Sequence, residues 1–135
     1  MVKMDIYCER KFKKCSVGGY LVDVNVSYFK NGTCYGNMTQ RFTIHRANQL
    51  EADAYICFKI IAQALDMQRD SYRNTEFVVH MRDVWIDGIF GKNWLVTWAA
   101  RNWRNSRNIM IDGFEYWDKI FRMFSETGAK FKFVD

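Results

Sequence analysis

Glu76-Phe-Val-Val-His80-Met81-Arg82-Asp83-Val-Trp-Ile-Asp-Gly88-Ile89-Phe-Gly-Lys92-Asn-Trp94-Leu-Val-Thr-Trp98-Ala-Ala-Arg101-Asn-Trp103 is the stretch on which the fold turns. Phe77, Val78 and Val79 make residues 75–81 apolar on both faces, as expected of a strand at the centre of a sheet covered on two sides. A short segment, 83–89, follows it, and then a segment over 94–102 in which Trp94 and Trp98 stand one helical turn apart. Upstream, residues 48–64 change to a helical period, with Leu50, Ala54, Cys57, Phe58, Ile61 and Leu65 on one face and Asn48 in position to cap.

Three strands are expected before that helix. Residues 5–10 form the first, Gly18-Gly19 opens a second in which Tyr20, Val22, Val24, Val26 and Tyr28 alternate, and residues 34–44 form the third. Asn31-Gly32 joins the last two as a tight hairpin, because a primed turn needs positive φ at both central positions. After Trp103, Phe114, Trp117, Ile120, Phe121 and Phe124 recur at helical spacing, Gly128 sits where a C-terminal cap belongs, and residues 130–134 alternate as a fifth strand. Three antiparallel strands, helix, strand, helices and strand describe an α/β chain, a mixed five-stranded sheet flanked by helices. The fourth strand is expected to run parallel to the first.

The chain has 135 residues, no proline and no Gly/Ser linker, which argues for one domain over 1–135. Half of it is hydrophobic (49%) and 17% aromatic, yet it contains no apolar run long enough for a membrane span, so a membrane partner is not expected. Without a secretory signal at the N-terminus, an intracellular location with four free thiols at Cys8, Cys15, Cys34 and Cys57 is expected. The cysteine spacing matches no zinc pattern. Asn-x-Ser/Thr triplets at Asn25, Asn31 and Asn37 are read as strand residues or chance. The charge of +5 favours an anionic partner. It is concentrated in Arg10, Lys11, Lys13 and Lys14, and again in Arg101, Arg104 and Arg107 around Trp103, the interleaving of charge and ring that a nucleic-acid surface uses. The competing reading of both clusters is a solvated loop.

This order, with several local motifs, resembles the ribonuclease H type 1 domain across nearly the whole chain. Ile6-Tyr7-Cys8-Glu9-Arg10 is similar to the family's opening strand, with Glu9 at its Asp. Asn48-Gln49-Leu50-Glu51 is similar to its Asn-x-x-Glu, with Glu51 at the catalytic Glu. His80-Met81-Arg82-Asp83 through Gly88-Ile89 aligns with Thr-Asp-Ser and a Tyr-Val-x-x-Gly-Ile helix, which places Met81 on a catalytic Asp. Trp94, Trp98 and Trp103 resemble the tryptophans of the family's basic handle, and Phe114-Glu115-Tyr116-Trp117 the helix after it. The family's His-bearing loop and last helix, which carry a fourth carboxylate, would lie beyond Asp135.

The resemblance implies a pair of Mg²⁺ ions about 4 Å apart on clustered carboxylates. A soft, neutral Met81 thioether cannot replace a hard oxygen ligand, so Glu9 and Glu51 are the remnant catalytic and metal positions, with Asp83 a further catalytic remnant. Asp83 is instead expected to cap the short helix, and Glu51 has a capping-box reading with Asn48. His45 and His80 match no catalytic histidine of the family, and His80 is expected to be structural. No cofactor is expected, or Mg²⁺ or Mn²⁺ if the chain is active. Phosphate contacts are expected from Arg10, Lys11, Lys13, Lys14, Arg46, Lys92, Arg101, Trp103, Arg104 and Arg107, with Asn48 on the minor-groove side. Ala47 removes one hydrogen bond there.

The leading reading is a catalytically degenerate ribonuclease H-like domain that binds a nucleic-acid duplex, an RNA/DNA hybrid or double-stranded RNA, or a partner protein, as a viral or mobile-element accessory protein. The alternatives are a weakly active metal-dependent ribonuclease H using Glu9 and Glu51, and an interaction or homodimerisation module built on Trp94, Trp98 and Trp103.

Overall fold

In the computed structural model, which describes residues 1–16, 18–44 and 49–135, β1 runs over Val2–Lys14, well past the expected 5–10. It is long because β2 (Tyr20–Lys30) pairs with it antiparallel along its whole length, from Met4 opposite Lys30 to Lys14 opposite Tyr20. Asn31 and Gly32 both take positive φ, 49° and 85°, and turn the chain into β3 (Thr33–Ile44) as the Asn-Gly signal requires. β4 (Thr75–His80) lies parallel to β1, and β5 (Phe131–Val134) parallel to β4. The sheet order is β3-β2-β1-β4-β5, with the first three strands antiparallel.

Strand alternation sorts the two faces. Met4, Ile6, Val22, Val24, Val26, Phe77 and Val79 turn to one side and are buried with α1 (Gln49–Met67), α3 (Trp94–Ala100) and α4 (Phe114–Thr127). The expected cap Asn48 lies outside the described residues. On the other side the polar side chains pair across strands. Ser27 Oγ donates to Asn37 Oδ1 at 2.9 Å, Thr39 Oγ1 to Asn25 Oδ1 at 3.1 Å, and Arg41 takes Asp23 at 2.7 Å. Two of the Asn-x-Ser/Thr triplets therefore supply a polar ladder between β2 and β3. On the second face of β4 Glu76 is exposed, Val78 is buried outside the main core cluster, and His80 is half-buried. Among the described residues no helix is long and apolar enough to cross a membrane.

Between β4 and α3 the chain makes a single helical turn, α2 (Val84–Ile86), and a π-helical turn over Asp87–Gly91. Gly88 is required there, because a Cβ would stand 2.2 Å from the Trp94 ring. α4 starts from Gly113, in the left-handed region at φ 79° and packed so closely on α1 that a Cβ would meet that of Ala54 at 2.5 Å. Asp112 stands just before the helix, and its carbonyl accepts Trp117 Nε1 at 3.1 Å. Gly128 closes α4 at φ 69°, its N–H on the Phe124 carbonyl, as expected of a C-terminal cap.

Candidate nucleic-acid interface and acidic centre

Cys8 and Arg10 continue the buried side of β1 towards the C-terminal ends of β1 and β4, beside the first turns of α1. Asp53 belongs to the buried stripe of α1, between Leu50 and Cys57, so a carboxylate is carried into the core by helical periodicity. Arg10 meets it there. Its Nη1 bonds Asp53 Oδ1, and its Nη2 donates to Asp83 Oδ2 at 2.6 Å. Gln49 Nε2 adds a bond to Asp83 Oδ2 at 2.9 Å, while Asp83 Oδ1 accepts the Ile86 N–H at 2.9 Å and caps α2, the capping role expected for it. One guanidinium therefore ties β1, α1 and α2 together.

This cluster is closed. The Arg10 side chain is 12% exposed and that of Asp53 0%. Asp53 Oδ2 has no hydrogen-bond partner among the described residues, so only one of its oxygens is satisfied. The two thiols nearby are held neutral. Burial pushes Cys8 up from the ordinary 9.0 to about 11 against the opposing pull of Arg10, and burial raises Cys57 well above its ordinary value. Burial likewise raises the Tyr28 hydroxyl.

The expected carboxylates are not brought together. Glu9 stands one residue from Arg10 and so on the opposite face of the sheet, exposed, with Lys11 Nζ at 3.9 Å. Glu51, exposed on α1, lines a 280 Å³ cavity with Asp112 and Gly113 at the start of α4. Met81 is only 4% exposed and packs in the core. Among the described residues no three His, Cys, Asp or Glu side chains gather as metal ligands. The residues present do not fit the two Mg²⁺ ions implied by the family, because Asp53 and Asp83 already share a cation, the thiols are protonated, and Glu9 lies across the sheet.

His80 is structural, as expected. It sits on the second face, its Nε2 2.9 Å from Asp5 Oδ1 and its ring stacked on Tyr7 at 4.1 Å. His45, Arg46, Ala47 and Asn48 lie outside the described residues, and the expected minor-groove contacts with them.

The basic cluster after α3 is arranged differently. α3 ends at Ala100, short of the expected Asn102, because Asn102 and Trp103 both enter the left-handed region, at φ 54° and 62°. The chain then folds into a tight loop in which Asn105 Oδ1 accepts the N–H groups of Arg107 (2.9 Å) and Ile109 (3.0 Å), and the Ile111 N–H returns to the Trp103 carbonyl at 2.7 Å. Arg101, Arg104 and Arg107 are exposed around this loop, and none of them forms an ion pair among the described residues.

Trp103 is 9% exposed, with its Nε1 bonded to Asp118 at 3.2 Å and its ring against Phe121. It anchors the loop instead of presenting a ring, a correction to its expected place on the phosphate-binding surface. Trp94 and Trp98 are half-buried in a chain of rings that reaches Trp117. Arg10, counted with the basic cluster from sequence, is spent inside, whereas Lys11, Lys13, Lys14 and Lys92 remain exposed.

Asp53 was not among the expected site residues. The signal for it was an acid on an apolar helical stripe, together with an arginine at even spacing from Ile6 on a strand.

No family model matches the chain, and no curated protein resembles it closely in sequence. Among solved structures it is similar to the foamy viral protease-reverse transcriptase in complex with an RNA/DNA hybrid. That match covers 98% of this chain and 17% of the other at 7% identity and a TM-score of 0.70. It is also similar to that protease-reverse transcriptase in complex with dsDNA, over 97% of this chain and 79% of the other at 12% identity and a TM-score of 0.63. The chain thus spans less than a fifth of the first of these. At such identities the likeness is one of fold, and with the mixed sheet order above it identifies the fold as ribonuclease H-like.

Proposed function

We propose that this chain is a ribonuclease H-like domain that binds a nucleic-acid duplex, an RNA/DNA hybrid or double-stranded RNA, and does not hydrolyse it. The observation that supports the second half is the Arg10 guanidinium held between Asp53 and Asp83, a fixed cation that occupies both carboxylates of the inner centre. The first half is supported by exposed cations at Lys13, Lys14, Lys92, Arg101, Arg104 and Arg107 that form no ion pair among the described residues, since phosphate contacts demand charge more than fixed geometry. The complexes formed by its structural neighbours, with a hybrid and with dsDNA, support the same reading. Their viral source favours an accessory role in a virus or mobile element, in which a partner protein could share the domain.

A labelled hybrid titrated across a salt series tests the proposal. Expected is a log affinity that falls linearly with log salt, with a slope of roughly −0.9 for each phosphate neutralised, and a hybrid that stays intact in Mg²⁺ or Mn²⁺. Absent or salt-independent binding would overturn the first half. Cleavage abolished by Asp53→Asn would overturn the second.

A further inference from the structure

β5 is the outermost strand on its side of the sheet and among the described residues pairs only with β4, so one row of its N–H and C=O groups faces outward. Three cavities open along this short strand, and Phe131 lines all of them. One of 460 Å³ is bounded by Ile86, Phe90 and Phe133, one of 350 Å³ by Leu95, Val96 and Phe124, and one of 450 Å³ by Tyr72, Thr75 and Phe77. The strand's own rings are fixed by stacking, Phe131 on Phe77 at 4.4 Å and Phe133 on Phe90 at 4.1 Å, so the cavity walls are preformed.

The charge around the edge is in positive excess, with Glu76 the exposed carboxylate on the wall of the 450 Å³ cavity. Asp87 and Asp135 are both taken by Arg82, at 2.7 and 3.6 Å, while Lys92, Lys130 and Lys132 are exposed and form no ion pair among the described residues. Lysines on an edge oppose pairing with an identical strand, which disfavours a second copy of this chain, and they favour an acidic one. A row of backbone donors and acceptors matches a peptide backbone better than a phosphate chain, which offers acceptors alone.

We infer that the free edge of β5 binds an extended acidic peptide segment as a sixth strand. Apolar side chains of that segment enter the cavities on either side of Phe131, and its carboxylates reach Lys92, Lys130 and Lys132. The inference does not rest on the duplex-binding reading.

Fluorescence anisotropy with a labelled peptide of alternating valine and glutamate tests it. Binding is expected, and Lys130→Glu with Lys132→Glu, both at exposed positions, should weaken it at least about tenfold. Two further peptides carry N-methyl groups on alternate amides, one in each register. A strand bonds its neighbour through alternate residues, so one of them should lose at least about tenfold and the other bind like the parent. Equal binding by both methylated peptides would reduce the interaction to charge attraction and overturn the inference. An unchanged affinity in the charge-reversed variant would overturn it as well.

Discussion

The acidic centre and the arginine loop hold their charges in opposite ways. Inside, Arg10 is consumed by Asp53 and Asp83, and those two acids by Arg10, Gln49 and the cap of α2. Outside, Arg101, Arg104 and Arg107 sit on a loop whose shape is made by Asn105, Trp103, the Arg104 bond to the Asn108 carbonyl and backbone bonds, and among the described residues no carboxylate pairs with their guanidinium groups. A site that must capture metal needs open ligands, whereas a surface that must capture phosphate needs open cations. The arginine loop has the second property, while both carboxylates of the inner centre share one cation.

The sharpest way to break this contrast is to remove the inner cation. Arg10→Ala strands two carboxylates, one of them fully buried, and is expected to cost about 3–5 kcal/mol in chemical denaturation, because an uncompensated buried charge is worse than a missing pair. Arg10→Met combined with Asp53→Leu should recover part of that loss, with a coupling energy of about 1–3 kcal/mol in a double-mutant cycle. A single-variant cost below about 0.5 kcal/mol would mean that the pair is no structural element.

Gly88→Ala comes next, at about 1–3 kcal/mol, since the new methyl meets the Trp94 ring and the π-turn must shift to admit it. Thermal unfolding of this variant reports whether that turn is rigid.

Raising the pH sharpens the inner half of the comparison. The Cys8 thiol is raised in the fold from 9.0 to about 11, so its contribution is fully present below pH 9 and is lost as the pH rises towards 11. Cys57 and Tyr28, raised in the same direction by burial, extend the loss further into alkali. Urea midpoints flat up to pH 9 and falling above it are expected. A Cys8→Ala variant with the same alkaline profile as the parent would contradict the assignment of that window to Cys8.

The smallest effect on stability belongs to the outer half. Replacing Arg101, Arg104 and Arg107 with alanine should change stability by no more than about 0.5 kcal/mol. The same variant should lower duplex affinity and flatten the salt slope by about one for each phosphate that is no longer neutralised.

Much of the frame was legible because it rests on local chemistry. Asn31-Gly32 demanded a primed turn, Gly128 a left-handed cap, and the alternation of Val22, Val24 and Val26 a half-buried strand, and each stands where the sequence put it. The centre was less legible for two reasons. Arg10 and Asp53 are 43 residues apart, and nothing local couples them. A strand also flips face at every residue, so placing Glu9 where the inward position is Arg10 exchanges a carboxylate for a guanidinium. Trp103 misled for a related reason, since its basic neighbours mark a surface while its own positive φ turns the indole inward onto Asp118.

The most direct test of the account follows one labelled RNA/DNA hybrid for binding and for cleavage in the same Mn²⁺-containing sample. The account predicts a hybrid that is bound, released by salt and recovered whole. A hybrid cut in a Mn²⁺-dependent reaction that Asp53→Asn abolishes would contradict it.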